Sequence, residues 1–426
     1  MFLEKLTGVR LSGADRGVWH RLMATRFIAE TGDAAGFTAL VLLLSRAADS
    51  AAELSTMLAA LVVIDAVVTP LCGSVGDRFD RQHVMLLSCA GGAACYAGMF
   101  FAAGTAWMVF ALACVSTVFE SLYFPASNAA LPRLLPGANL GSLFAAFAQA
   151  GTAGGLLGPA LVAGLSLAIG VEWALLANAL SFVLAGLLVG SVRREFGPSA
   201  GEETASDGDA EEGEEKPASD RRHVLARFPV LWAFMGLWAA IQLGTGAMWV
   251  LLPLLAERLG DPEVTYSGLN TWSVVATMAG MFLIARLAQR YGALSLLQWG
   301  LVAQIVGFLG LALAVALLGL PALAVTALAL LVHRGGQAFT GASSYDLLAH
   351  AVPDEARARS TSWVDFATIG AFGVGVWLAG PVADAAGLIA LSLISAALLA
   401  ASMLAARHLG RVAREEGFGD ETPTHL

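Results

Sequence analysis

Three ionisable residues, Arg26, Glu30 and Asp33, interrupt the first long apolar run of a chain of 426 residues. Their spacing of four and then three residues places all three side chains on one face of an α-helix. An ionised side chain at the centre of a membrane-spanning helix costs roughly 2.5–3.5 kcal/mol on insertion scales, so such groups face a bundle interior or a water-filled path. We therefore predict that this charged stripe lines a cavity.

The members of the charged stripe differ in the chemistry open to them. Arg26 and Glu30 stand one helical turn apart, so they form either an internally neutralised structural pair or two cavity charges. Asp33 has no partner left on its own helix, and it follows Gly32, which lets a neighbouring helix approach closely. Because removal from water disfavours an ionised carboxylate, such a group can exchange protons. We predict proton coupling at Asp33, with Glu30 as its neighbour.

The two halves of the chain repeat each other at nearly constant offsets. An offset of 212 residues pairs Gly32 with Gly244, Leu40 with Leu252, Arg46 with Arg258 and Arg78 with Arg290. An offset of 217 residues pairs Pro136 with Pro353 and Gly158 with Gly375. A repeat of six spans predicts two halves in parallel orientation, with a binding site between them near the membrane midplane.

The repeat shows that the halves carry different charges within their apolar runs. Acids of the first half correspond, in the repeat, to neutral residues of the second. Glu30 corresponds to Gln242, Asp33 to Thr245, Asp65 to Thr277 and Glu120 to Gln337. The second half carries Arg334, which we expect either to balance those acids or to hold an anionic group of a substrate. His333 precedes Arg334 on the helix, so its side chain points in a different direction. This favours a core or interface histidine over a proton relay.

The predicted substrate cavity draws on both halves. Arg334, Gln337 and Gly341 share one helical face at intervals of three and four residues. Trp238 and Trp249 are candidates for an aromatic wall of the cavity. The alternative is that they are interfacial anchors, the usual role of tryptophans near span ends. The full predicted set is Arg26, Glu120, Gln149, Trp238, Gln242, Trp249, Arg334 and Gln337.

Composition indicates a membrane protein throughout. The chain is 57% hydrophobic and 13% charged, whereas a soluble domain is about a quarter charged. Twelve apolar runs have the length that crosses a bilayer, at about 19–45, 53–75, 83–103, 105–127, 140–168, 172–192, 228–256, 267–286, 293–317, 321–347, 360–383 and 386–407. The first run is predicted to be a retained span. The four cysteines all fall in apolar runs without metal-ligand spacing and are predicted to be core residues.

An acidic, low-complexity stretch at 193–227 divides the chain and is predicted to be a cytoplasmic linker. The predicted bundles are 1–192 and 228–409, followed by a cytoplasmic tail at 410–426. Of the Lys and Arg residues, only Arg46 and Arg258 fall in loops that follow odd-numbered spans. The positive-inside rule therefore places both termini and the linker in the cytoplasm.

The loop after the second run carries a recognisable motif, Gly73-Ser-Val-Gly-Asp77-Arg78-Phe-Asp80-Arg81-Gln-His83. It resembles the loop 2–3 signature of the major facilitator superfamily, with Asp80 in place of the second glycine and Gln82 in place of lysine. The resemblance implies an all-α membrane protein of twelve transmembrane helices in two pseudo-symmetric six-helix bundles. It also implies a cytoplasmic gate, for which we name Asp77, Arg78 and Arg81, with Asp365 near the end of the eleventh run.

Two further segments narrow the resemblance. The fifth run reads Gly154-Gly-Leu-Leu-Gly158-Pro159, which is similar to the glycine motif of antiporter branches of the superfamily. The charged stripe, together with the run from Tyr123 to Pro132, resembles exporters related to macrolide efflux pumps and to the enterobactin exporter. The arginine that many drug/proton antiporters carry in the fourth span is absent here.

These resemblances imply a proton-coupled exporter of an amphiphilic small molecule, a drug or siderophore-like metabolite, in the bacterial inner membrane. The alternatives are a lipid or lysolipid translocator or an importer of the same fold and, from another class, a membrane sensor. The chain has no phosphate-binding P-loop and no His-x-x-x-His or Cys-x-x-Cys motif, so we expect neither an enzyme nor a cofactor. The expected partners are a small-molecule substrate, protons and the bilayer, without nucleic acid, and the expected state is a monomer.

Overall fold

The computed structural model describes residues 13–135, 139–194, 196, 229–288, 290–317, 319–351 and 354–415. Apart from short connections, these residues are helical, which confirms the all-α prediction. The helices are α1 (Gly13–Ala47), α2 (Ala51–Arg78), α3 (Arg81–Phe101), α4 (Ala106–Leu134), α5 (Leu140–Ala168), α6 (Trp173–Gly190), α7 (Pro229–Thr245), α8 (Met248–Leu259), α9 (Pro262–Leu287), α10 (Ala293–Ala316), α11 (Gly319–Ala351) and α12 (Asp354–Glu415).

The helices of the described chain amount to twelve crossings, as predicted. Eleven segments of it are long and apolar enough to span a bilayer, and α7 with α8 forms one of them, interrupted at Gly246. At 62 residues, α12 would be about 93 Å long if it were straight, roughly three times the hydrocarbon thickness. Gly387 breaks it with a φ of 80°, so α12 supplies two crossings.

The described chain divides into two compact units. The first holds residues 13–47 and 63–194 together with 196, and the second holds 48–62 and 229–415. The predicted linker lies outside the described residues except for 193, 194 and 196. The predicted tail also lies outside them except for residues 410–415, which continue α12.

The first part of α2 belongs to the second unit, because a side chain of α12 caps the N-terminus of α2. The Asp384 carboxylate accepts hydrogen bonds from the backbone N–H groups of Ala51 at 3.0 Å and Ala52 at 2.9 Å. The Ser55 hydroxyl also donates to the Trp377 carbonyl at 3.1 Å. A carboxylate at a helix N-terminus satisfies orphan N–H groups and complements the helix dipole. The sequence pattern of six spans in each half did not anticipate this membership.

We expect Asp384→Ala to destabilise the second unit by about 1 kcal/mol, the usual cost of losing an N-terminal cap. Asp49→Ala is the matched control, since Asp49 is an exposed aspartate beside the same helix end. Thermal unfolding in detergent, followed by circular dichroism, measures both variants. Equal midpoints for the two variants would show that the cap contributes nothing.

The internal repeat is visible in how the helices pack within each unit. In the first unit, Gly158 of α5 lies against the Thr31 carbonyl of α1. In the second, Gly375 of α12 lies against the Leu243 carbonyl of α7. Leu243 corresponds to Thr31 at the offset of 212 residues, so the same close approach recurs in both units.

Candidate functional site

Glycines of α5 hold the part of α1 that carries the charged stripe. A Cβ added at Gly154 would lie 2.5 Å from the Phe27 carbonyl oxygen, and one added at Gly158 would lie 2.7 Å from the Ala35 nitrogen. Both distances are too short for real Cβ atoms, so only glycine permits this spacing of the two backbones. The glycine motif of the fifth run therefore lets α5 pack closely against α1 at these two positions.

The opposite side of α1 is covered by polar side chains of α6. A Cβ at Gly32 would overlap Ser181 Oγ and Asn178 Oδ1, and a Cβ at Gly36 would lie 2.5 Å from Asn178 Nδ2. Asn178 is fully buried, and the Ser181 hydroxyl donates to its Oδ1 at 2.9 Å. The prediction that Gly32 admits a neighbouring helix is confirmed, and that helix brings an amide beside the stripe.

Arg26 and Glu30 form the pair that their spacing predicts. Arg26 Nη2 lies 2.8 Å from Glu30 Oε2, and the two side chains are 18% and 33% exposed. The guanidinium also lies over the rings of Phe124 and Phe147, with centroids at 5.3 Å and 5.6 Å. These contacts spread the positive charge of Arg26 over one carboxylate and two aromatic faces.

Asp33 is the member of the stripe without an ion-pair partner among the described residues. Its Oδ1 atom is buried and accepts no hydrogen bond from the described chain. Its electrostatic neighbours include the carboxyls of Glu120 and Glu30, the Asn178 amide and the more distant charge of Arg26. Asp33 therefore stands among like charges in a place that water reaches poorly.

Two further acids complete a group that we call the carboxyl cluster: Glu30, Asp33, Asp65 and Glu120. The hydroxyl groups of Tyr96 and Ser116 are polar neighbours of Glu120. Asp65 Oδ1 accepts hydrogen bonds from Ser121 at 2.9 Å and from Thr69 at 3.0 Å. Asp65 is thus satisfied by hydroxyls, whereas one buried oxygen of Glu120, like that of Asp33, has no partner in the described chain.

The corresponding helix of the second unit carries no charge at the equivalent positions. Trp238, Gln242 and Thr245 occupy the places of Arg26, Glu30 and Asp33. The Thr245 hydroxyl donates to the Ile241 carbonyl at 3.0 Å and contacts Gln242 Oε1 at 3.1 Å. This stripe is satisfied by its own helix and offers no proton-binding group.

Aromatic residues of the second unit meet where α7 gives way to α8. The rings of Trp249 and Phe372 are perpendicular, with centroids 4.9 Å apart. Gly246 permits this contact, because a Cβ there would lie 2.7 Å from the Phe372 carbonyl oxygen. Trp238 is partly buried on α7.

Arg334 of α11 donates to Gln337 Oε1 at 2.8 Å, so the predicted helical face is present. His333 points elsewhere, as predicted: it is fully buried, its Nδ1 lies 3.4 Å from the Gln304 carbonyl oxygen, and its ring stacks edge-on against Phe308. It is a core histidine between α10 and α11.

The remaining predicted residues lie apart from the carboxyl cluster or outside the described side chains. Arg81 begins α3 and donates to the backbone carbonyls of Ala129 at 3.2 Å and Phe196 at 3.4 Å. Gln149 is exposed on α5. The side chains of the other predicted gate residues, Asp77, Arg78 and Asp365, lie outside the described part.

Sequence reasoning missed Asn178, Tyr96 and Ser116, which surround Asp33 and Glu120. Asn178 had a usable signal, since it is the only amide in the 18-residue apolar helix α6 and Ser181 follows one turn later. A polar residue in such a helix normally faces a protein partner. Tyr96 and Ser116 had no comparable signal.

Comparison with known proteins places the whole arrangement in context. A family model described as the Major Facilitator Superfamily matches residues 22–368. A Bacillus subtilis (strain 168) relative, named as the uncharacterized MFS-type transporter YfiS, is 25% identical over 283 residues. The match covers 63% of this chain and 63% of the relative, so the chain spans less than two thirds of that relative's length.

Solved structures share the fold over almost the full chain. The nucleoside transporter NupG superposes with a TM-score of 0.73 at 14% identity, over 93% of this chain and 98% of NupG. A POT family transporter in complex with a thioalcohol-conjugated peptide gives 0.69 at 11% identity, over 94% and 96%. A bacterial homologue of the human lysosomal transporter Spinster, in an inward-facing and unoccupied conformation, gives 0.67 at 14%, over 97% and 100%. At these identities the similarity concerns the fold alone.

Proposed function

The chain belongs to the major facilitator superfamily of multi-pass membrane transporters, and we propose that it exports an amphiphilic small molecule in exchange for protons. The observation that carries this proposal is the carboxyl cluster of the first unit. Asp33 stands there beside Glu120 and Glu30 with an unpaired buried oxygen, whereas the equivalent Thr245 is neutral and satisfied. At this position of the repeat, one half thus carries a proton-binding group and the other a neutral threonine.

Protonation of Asp33 would couple to movement through the cost of burying charge. An ionised carboxylate must keep contact with water or a cation, whereas a protonated carboxyl can be enclosed at a much lower cost. A proton on Asp33 therefore favours states in which the cluster is shut off from water. Release of that proton favours states in which the cluster faces water, and a transporter needs two such states with different proton affinities. Glu30, held by Arg26, is the secondary proton site.

We infer that the substrate is amphiphilic because aromatic rings lie beside the charged groups. Arg26 lies between Phe124 and Phe147, and the second unit offers Trp249 against Phe372. Aromatic faces beside a few charged groups suit a molecule with one apolar and one polar part. Drugs and siderophore-like metabolites are the classes that we favour. Gln149, Trp238 and Gln242 complete the proposed cavity.

A second candidate, translocation of a lipid or lysolipid, is favoured by Arg334. This cation forms no salt bridge among the described residues, and together with the acids of the first unit it would suit a zwitterionic headgroup. Import of a small molecule by the same fold is the remaining alternative.

The rest of the proposal concerns placement in the cell and gating. We place the protein in the bacterial inner membrane as a monomer with both termini in the cytoplasm. Asp77, Arg78 and Arg81, together with Asp365, form the proposed cytoplasmic gate. In that proposal Arg81 fixes the start of α3 by its two hydrogen bonds to backbone carbonyls.

Flux through proteoliposomes tests the coupling. With an imposed pH gradient and a panel of drugs, siderophores and lysolipids, Asp33→Asn should abolish gradient-driven accumulation, because the amide cannot bind the exchanged proton. Asp49→Asn, which changes an exposed aspartate outside the cluster, should transport like the wild type.

Substrate exchange without a gradient provides the second measurement. Asp33→Asn should still exchange labelled for unlabelled substrate, since exchange needs the binding site and the moving helices but no net proton transfer. Unchanged gradient-driven accumulation by Asp33→Asn would overturn the proposal. Which compounds of the panel move separates the exporter from the lysolipid translocator.

A further inference from the structure

Arg334 and Gln337 of α11 suggest a binding site that the proton-coupling chemistry does not use. We propose that these two side chains bind an anionic oxygen group, a carboxylate or a phosphate, of the transported molecule. The inference rests on the proposed transport function and names the chemical class of its substrate.

The charge of Arg334 has no acidic partner in the described chain. Its Nη1 donates to a neutral amide oxygen, Gln337 Oε1, at 2.8 Å, and its Nε is buried without an acceptor in that chain. None of the salt bridges between described residues involves Arg334. A guanidinium inside a membrane protein is costly unless an anion or carbonyl groups compensate it.

The neighbouring helices do not supply that anion within the described part of the second unit. Gly280 of α9 packs closely on Gly335 of α11, which brings α9 alongside Arg334. The ionisable group of α9 within electrostatic range of Arg334 is the buried phenol of Tyr266. On the α10 side, His333 is turned into the core against Phe308. Neither neighbour supplies a carboxylate to Arg334 within the described residues.

The face of α11 that carries Arg334 is open next to the pair. A Cβ added at Gly341, one turn beyond Gln337, would meet no atom within 4 Å. On the other face, a Cβ added at Gly336 would lie 2.6 Å from the Gly300 carbonyl oxygen of α10. Within the described residues, α11 is therefore packed against α10 at Gly336 and has room for a ligand beside Gly341.

The hydrogen-bonding pattern of the pair leaves donors and no acceptor for a ligand. Gln337 Oε1 is engaged by Arg334, so its amide N–H groups remain available. The guanidinium keeps Nε–H and further N–H groups in the planar fork that matches a carboxylate or phosphate. Such a set of donors selects an oxyanion and rejects a cation.

Matched probes test this selectivity in lipid nanodiscs at fixed pH without any gradient. Decanoate is compared with decanamide, and decyl phosphate with decanol, by titration of tryptophan fluorescence. The wild type should bind each anion about 10- to 100-fold more tightly than its neutral counterpart, the value of charge-assisted hydrogen bonds. Arg334→Gln should remove this preference, so that each anion and its neutral counterpart bind about equally. Arg258→Gln, an exposed arginine at the end of α8, should keep the preference.

Competition by lysophosphatidylglycerol tests whether the bound anion is a lipid headgroup or a soluble anion. Stronger competition by this lipid than by decyl phosphate assigns the site to lipid headgroups, and the reverse assigns it to soluble anions; both support an oxyanion site. If Arg334→Gln does not fold, Gln337→Leu should reduce the anion preference about tenfold by removing the donors of one partner. A wild type without anion preference, or an unchanged preference in a folded Arg334→Gln or Gln337→Leu, overturns the inference. Because no proton gradient is used, this outcome is independent of the Asp33→Asn flux result.

Discussion

Gly158→Leu is expected to prevent the first unit from packing correctly. A Cβ at this position would lie 2.5 Å from Ala34 Cβ, 2.7 Å from the Ala35 nitrogen and 2.8 Å from the Thr31 carbonyl oxygen. Two of these atoms belong to the backbone of α1 and cannot rotate away, so α1 and α5 must separate along their contact. Overpacking costs about 1–3 kcal/mol even where side chains can yield. We expect a cost at the upper end of that range or beyond it.

The matched control is Gly164→Leu, on the same helix. Gly164 is exposed, and a Cβ there would meet no atom within 4 Å. Fluorescence-detected size-exclusion chromatography, with thermal midpoints in detergent, compares the two variants. Gly158→Leu should give little monodisperse protein, while Gly164→Leu should resemble the wild type. Similar profiles for both variants would contradict the packing seen between α1 and α5.

The consequence for function is that the charged stripe is rigidly placed. Glycines of α5 hold one side of α1, and Asn178 of α6 fills the space over Gly32 and Gly36 on the other. Because both sides of α1 are held, the helix cannot rotate to carry the Asp33 carboxyl into water. Asp33 therefore gains and loses its proton in a fixed environment. The sequence predicted part of this arrangement, the close approach of a neighbouring helix at Gly32.

Helical spacing predicted those features of the site that depend on one helix. The Arg26–Glu30 pair follows from an interval of four residues. Asp33 is left without an ion-pair partner because its own helix offers no second cation. The repeat then predicted that Thr245 would be neutral where Asp33 is charged. Such features are local, so the period of the helix and the order of residues determine them.

Features that depend on packing between distant helices were not predictable from spacing. Tyr96 and Asn178 reach the carboxyl cluster from α3 and α6, which are separated from α1 by long stretches of chain. The capping of α2 by Asp384 joins residues 333 positions apart. The interruption at Gly246 likewise lies inside one apolar run, where hydropathy alone carries no boundary signal. The kink at Gly387, in contrast, lies beside the boundary predicted between the runs at 360–383 and 386–407.

Arg26→Gln is expected to destabilise the protein more than removal of the whole ion pair. The single change leaves the Glu30 carboxylate without its cation 2.8 Å away. Breaking a fully buried pair costs about 3–5 kcal/mol, and the partial exposure of both side chains reduces this to about 2 kcal/mol. Unfolding by sodium dodecyl sulfate, followed by tryptophan fluorescence, measures the change.

The double variant Arg26→Gln, Glu30→Gln supplies the control and links stability to transport. It removes both charges, so it should recover about 1 kcal/mol relative to Arg26→Gln, a coupling of the size found for residues in contact. In proteoliposomes it should retain gradient-driven flux at a reduced rate, because Asp33 still carries a proton. Loss of that flux in a folded double variant that still exchanges labelled for unlabelled substrate would assign the coupling to Glu30. Retention would leave Asp33, which has no partner on its own helix, as the group that the pH gradient acts upon.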